Sequence, residues 1–77
     1  MEDILVSIIN KVTEKHYNSI NYSDGFKTDL GISSLEYFEI VIDIELQYNL
    51  TLPDELLLYE ENITFGQIIE GLKGLLL

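Results

Sequence analysis

The side chains able to do chemistry are few in this chain. It has one histidine, His16, and no cysteine. A thiolate nucleophile, a disulfide framework and a thiolate zinc site are therefore out of reach, and His16 has no second imidazole to support it. What remains is a pair of adjacent serines in the run Asp29-Leu30-Gly31-Ile32-Ser33-Ser34-Leu35-Glu36. Ser33 and Glu36 stand at the spacing of a capping box, which makes Ser33 the N-cap and Glu36 the third helical residue. Such a cap is worth about 1 kcal/mol. Ser34 then falls at the first helical position, beside free backbone N–H groups and the positive end of the helix dipole. A phosphate ester on Ser34 would find a favourable electrostatic site there. Moving the cap to Ser34 would put Tyr37 at the third position, where it cannot complete the box. One serine caps and the other is presented, although by itself such a pair also reads as two ordinary helix-start residues.

The elements that must position these serines can be read from periodicity. Residues 2–16 predict an amphipathic helix with Ile4, Leu5, Ile8, Ile9 and Val12 on its apolar stripe. Acids at its start and Lys15 and His16 at its end suit the helix dipole, and this helix-end role fits His16 better than a catalytic one. Residues 17–32 carry Asn18, Ser19, Asn21, Ser23, Asp24, Gly25 and Gly31, a density of turn-formers that predicts a long loop. Phe26 and Leu30 are its expected anchors. An EF-hand fails in this loop, because neither Gly25 nor Gly31 has an acid five positions before it.

Residues 34–49 predict the strongest helix. Leu35, Phe38, Val41, Ile42, Leu46 and Tyr48 supply its apolar positions, Ile40 and Ile44 broaden the stripe, and Glu36, Glu39, Asp43 and Glu45 supply the acids. Pro53 suits the start of a new element, and Asp54 to about Glu60 predicts one short helix. Thr64 and Gln67 form a second capping box that opens the last helix, with Phe65, Ile68, Ile69 and Leu72 on its apolar face. Gly71 and Gly74 weaken that helix, so its Leu75–Leu77 tail is expected to fray. The expected fold is all-α: a single domain over residues 1–77, a small four-helix bundle with a short third helix and a long loop between the first two.

Composition narrows the function classes further. With 77 residues and 47% hydrophobic side chains, the chain can fold but has one thin core and no room for a deep catalytic cleft. Fourteen Asp and Glu against four Lys give a formal net charge of −10. That charge repels nucleic acid, and it either draws the chain to basic patches on protein partners or simply keeps a small protein in solution. No stretch reaches the roughly 20 apolar residues of a membrane span, and no signal peptide is evident, so a soluble, cytoplasmic protein is expected, and a monomer because the bundle needs no second subunit to complete its core.

The run Asp29-Leu30-Gly31-Ile32-Ser33-Ser34-Leu35 resembles the acyl carrier protein family, whose signature is Asp-Leu-Gly-x-Asp-Ser-Leu before an acidic helix. Glu36 and Glu39 stand at the family's acidic positions. Leu52-Pro53-Asp54-Glu55 matches its Ile-Pro-Asp-Glu, and Ile63-Thr64-Phe65 the start of its last helix. The likeness runs from the first helix to about residue 73. It implies that Ser34 is esterified by 4′-phosphopantetheine from coenzyme A, and that the thiol of that arm holds an acyl or aminoacyl group as a thioester. It implies no metal and no catalysis by the chain itself. The implied partners are a phosphopantetheinyl transferase and acyl-processing enzymes of fatty-acid, polyketide or related biosynthesis, which would recognise Glu36, Glu39 and Asp43 through basic residues.

Departures from the pattern point to a specialised carrier. Ser33 replaces an aspartate, Tyr37 and Phe38 are bulky, and Leu46 and Gln47 replace acids. The segment from Pro53 to Ile63 is longer by about three residues and holds Leu56-Leu57-Leu58-Tyr59, which would reshape a cargo groove or a partner surface. The rival reading is a non-covalent, acidic helical interaction module in which Ser34 is never modified.

Overall fold

A computed structural model describes residues 1–76 of the chain. Three helices form: α1 over Glu2–Thr13, α2 over Ser34–Tyr48 and α3 over Phe65–Leu76. Two 3-10 turns, Asp54–Leu56 and Tyr59–Glu61, lie between α2 and α3. The architecture is all-α, with one isolated bridge between Gly25 and Thr64 joining the two irregular segments.

α1 is shorter than its pattern predicts. It ends at Thr13, whose hydroxyl donates to the Ile9 carbonyl at 2.7 Å, and Glu14 turns into the left-handed region at φ 59°. Lys15 and His16 therefore stand outside the helix, and His16 is exposed with no helix-end role. Lys15 instead donates from Nζ to the Leu30 carbonyl at 2.7 Å, which fastens the following loop. Leu5, Val6, Ile8 and Ile9 are buried, whereas Ile4 of the predicted stripe is exposed.

The short helix expected over 54–60 resolves into the two 3-10 turns. An α-helix there would give the Leu56 carbonyl to the Glu60 N–H. That carbonyl instead accepts a hydrogen bond from the Tyr37 hydroxyl at 2.5 Å, and Leu58 leaves helical geometry at ψ 78°. α3 starts on the predicted capping box, with Gln67 N–H donating to Thr64 Oγ1 at 3.1 Å and Thr64 N–H to Gln67 Oε1 at 2.8 Å. It stays helical through Leu75 and Leu76, and Leu77 lies outside the described residues.

The core is shared between helices and connections. α2 contributes Tyr37, Ile40, Val41 and Ile44, and α3 contributes Phe65, Ile68, Ile69 and Leu72. The long loop adds Ile20, Phe26, Leu30 and Ile32, and the 3-10 segment adds Leu52, Leu56 and Ile63. The two connections are also tied to each other by backbone. Phe26 N–H donates to the Ile63 carbonyl at 2.8 Å and Phe65 N–H to the Asp24 carbonyl at 2.9 Å. Gly25 is required at this crossing, because a Cβ there would stand 2.3 Å from Asn62 Oδ1. Asn62 Oδ1 in turn accepts from the N–H groups of Lys27 and Thr28, both at 3.1 Å. The platform that launches α2 is held from both sides.

Candidate functional site

The launch of α2 is built residue by residue from the loop. Gly25 N–H donates to Asp29 Oδ2 at 2.7 Å, and Leu30 N–H to the Gly25 carbonyl at 3.0 Å. Gly31 adopts φ 62°, a left-handed conformation that glycine takes without a steric cost. Ile32 N–H then donates to the Phe26 carbonyl at 2.9 Å, and the Ile32 side chain is buried. The chain thus arrives at Ser33 with a fixed direction. Ser33 Oγ accepts from Glu36 N–H at 3.2 Å, and Glu36 Oε1 accepts from Ser33 N–H at 3.0 Å. This is the full reciprocal capping box read from the sequence.

The cap does not use Ser34. Ser34 is exposed at the first helical position. The first N–H groups of a helix have no intrahelical acceptor. Ser33 Oγ takes that of Glu36 and the Ser33 carbonyl takes that of Tyr37 at 2.9 Å. The N–H groups of Ser34 and Leu35 remain for an outside acceptor. A phosphate on Ser34 Oγ would meet these donors and the positive end of the α2 dipole.

The three acids of the predicted recognition face are in different states. Glu36 is half-buried and its carboxylate is engaged in the cap. Asp43 is paired with Lys11 of α1 at 2.9 Å. Glu39 is exposed, and it has no salt bridge among the described residues. Beside these acids the helix shows an apolar row that the sequence reading assigned to the interior. Leu35, Phe38, Ile42 and Leu46 are exposed, Leu35 by 70% and Leu46 by 76%. Tyr48 alone of the remaining predicted positions is half-buried, and Val41, Ile40 and Ile44 face inward. The true inner face is 37-40-41-44.

Two residues at the site escaped the sequence reading. Tyr37 is fully buried and stacks edge-to-face on Phe26 with ring centroids 5.1 Å apart. Burial pushes its phenol well above the usual tyrosine range. Tyr59 donates its hydroxyl to the Ile32 carbonyl at 2.6 Å, two residues before the exposed serine. The signal for Tyr37 was present in the chain: positions 37, 40, 41 and 44 follow the i, i+3, i+4, i+7 rule. Tyr59 had no such signal, because its contact spans 27 residues.

A small helical fold with an exposed, non-capping serine at a capped helix start has the form that a covalent attachment domain requires. The family described as "Phosphopantetheine attachment site" matches residues 3–72. An acyl carrier protein from Exiguobacterium sibiricum is 35% identical over 76 residues, covering 94% of this chain and 92% of that one. An acyl carrier protein from another Exiguobacterium strain is 40% identical over 57 residues, covering 70% of this chain and 72% of that protein. The chain belongs to the acyl carrier protein family, whose members are carriers rather than catalysts and hold 4′-phosphopantetheine covalently. The residues at the start of α2 fit that group: an exposed hydroxyl, two open N–H groups and a rigid cap.

Proposed function

We propose that Ser34 is the attachment point and that the chain carries an acyl or aminoacyl group between enzymes of fatty-acid, polyketide or related biosynthesis in the cytoplasm. The observation that carries this reading is the division of labour between the two serines. Both serines are exposed, but Ser33 Oγ is spent on the cap, whereas Ser34 Oγ has no hydrogen bond among the described residues and lies beside unused donors. In the loading step the Ser34 oxygen loses its proton and bonds to the pantetheine-bearing phosphorus of coenzyme A. The phosphoanhydride bond breaks, and adenosine 3′,5′-bisphosphate leaves. When bound, the arm supplies a thiol that holds cargo as a thioester.

The proposed partner surface is the exposed side of α2. Glu39 is the acid best placed for a basic partner, with Glu36 and Asp43 adding charge while they serve the cap and the Lys11 pair. The apolar row from Leu35 to Leu46 runs beside them, and an exposed apolar strip rimmed by charge is the usual mark of a docking face. The net charge of −10 adds long-range attraction to basic surfaces.

The test is intact-protein mass after incubation with coenzyme A and a broad-specificity phosphopantetheinyl transferase. One phosphopantetheine is expected on wild type and on Ser33→Ala, and none on Ser34→Ala. Failure of folded wild type to load, while a control carrier loads, would overturn the reading in favour of a non-covalent module.

A further inference from the structure

One turn along α2 from Ser34 stand Tyr37 and Phe38, the side chains that a group hanging from Ser34 meets first on its own helix. They belong to an aromatic cluster. The Tyr37 ring lies 5.1 Å from that of Phe26, 5.9 Å from that of Tyr59 and 6.1 Å from that of Phe38. Both inner phenols are fixed to backbone, Tyr37 to the Leu56 carbonyl at 2.5 Å and Tyr59 to that of Ile32 at 2.6 Å. Leu56 is itself pressed onto α3, where a Cβ on Gly71 would stand 2.5 Å from Leu56 Cδ1. The seam between α2, the first 3-10 turn and α3 is thus spanned side to side.

The outer edge of this closure is also braced. Lys27 Nζ sits 5.7 Å from the Tyr59 ring centroid and pairs with Glu60 at 2.6 Å. Three surface hollows lie away from Ser34: about 340 Å³ along α1 against Gln47, about 310 Å³ at the far end of α2 around Ile42, Leu46 and Leu50, and about 430 Å³ around Met1, Glu2, Asp3 and Lys73. Admitting an alkyl chain beside Ser34 would require displacing the fully buried Tyr37 and the half-buried Tyr59, which frees the Leu56 and Ile32 carbonyls they hold.

We propose that Phe26, Tyr37 and Tyr59 close the core beneath Ser34, so that carried cargo rides outside the bundle, and that the chain serves short or polar acyl groups. This deepens the carrier reading and rests on Ser34 being the attachment point. A long alkyl chain held outside forfeits the burial of every methylene, whereas a short or polar acyl group forfeits almost nothing. Tyr37 and Tyr59 are then the residues that set cargo class.

The test loads the full chain with acetyl and octanoyl phosphopantetheine from the matching coenzyme A thioesters. Thioester release by hydroxylamine and the thermal unfolding midpoint are then read for each. Stowing even two methylenes would protect the octanoyl form about tenfold or more relative to acetyl. The expected result is rates within about twofold and equal midpoints; octanoyl protection with a raised midpoint overturns the proposal. Tyr59→Ala, checked for folding by circular dichroism, is expected to gain octanoyl protection without changing acetyl release. A folded Tyr59→Ala that gains none overturns the assignment to Tyr59. The wild-type comparison stands even if that variant does not fold. Absence of loading on wild type sinks the attachment reading and this one together. Loading followed by octanoyl protection sinks only this one.

Discussion

The two faces of α2 are made of the same kinds of residue and have opposite fates. Tyr37, Ile40, Val41 and Ile44 are buried, while Leu35, Phe38, Ile42 and Leu46 are exposed. Both sets have helical spacing, so periodicity alone cannot choose between them. The choice is made by what lies opposite. The inner face meets Phe26 from the loop and Leu56 from the 3-10 segment, and the Tyr37 hydroxyl finds a carbonyl there. The outer face meets water. Its acids, Glu39 and Asp43 among them, offset the solubility cost of an apolar strip. The comparison teaches that an apolar helix face is a core only if neighbours can satisfy it, and a face left open stays available to a partner.

The most direct way to break this comparison is to truncate one isoleucine on each face. Ile44→Ala leaves a hole in the packed interior and is expected to cost about 2–5 kcal/mol. Ile42→Ala removes a side chain that is 54% exposed, and is expected to stay within about 0.5 kcal/mol of wild type. Urea unfolding of both variants reads the difference directly. Equal losses would mean that the outer row is covered in solution and that the two faces are not distinct.

A sharper probe of the inner face is Tyr37→Phe, which keeps the ring and removes the hydroxyl. The Leu56 carbonyl then loses its partner, at an expected cost of about 1–3 kcal/mol. The pH dependence carries its own sign. Burial raises the Tyr37 phenol above its ordinary value of 10.0, so the folded chain keeps this proton where the unfolded chain releases it. Its contribution is complete below pH 10 and declines as pH rises above that value, by up to about 1.4 kcal/mol per unit. Lys27, raised mainly by its hydrogen bond to Glu60, and Tyr22, raised mainly by its hydrogen bond to Glu2, weaken stability in the same alkaline direction. Denaturant midpoints of wild type and Tyr37→Phe between pH 8 and 11 separate them. The gap between the two proteins is expected to narrow above pH 10, because only wild type loses the Tyr37 contribution there.

How much of this was legible in the chain follows from the range of each interaction. Both capping boxes were readable because each closes within three residues. The serine that caps and the serine that is presented followed from that local geometry. The anchors Phe26 and Leu30 were readable as isolated large apolar residues among turn-formers, and both are buried. What could not be read depends on distant partners. The split of the 54–60 helix comes from Tyr37, 19 residues before Leu56. The clasp of Tyr59 on Ile32 spans 27 residues. The end of α1 at Thr13 has no glycine to mark it, since Glu14 itself takes the left-handed turn. The rotation of α2 is not legible because two apolar rows compete on it, and only distant partners choose the row that holds Tyr37, Ile40, Val41 and Ile44.

The smallest expected effect separates two acids on the outer side of α2. Asp43 is paired with Lys11 at 2.9 Å, but the Lys11 side chain is 70% exposed and the pair is open to solvent. Such pairs contribute about 0–1 kcal/mol, so Asp43→Asn is expected to change stability by no more than that. Glu39 has no salt bridge among the described residues, and Glu39→Gln is expected to leave stability unchanged within about 0.5 kcal/mol. Partner association reverses the order. Lys11 already neutralises part of the Asp43 charge, whereas Glu39 presents its full charge to an incoming basic surface. Loading by the transferase at low salt is therefore expected to slow more for Glu39→Gln than for Asp43→Asn, with the difference fading as salt rises. Equal slowing at every ionic strength would show that the Lys11 pair opens on docking and that both acids act as one surface.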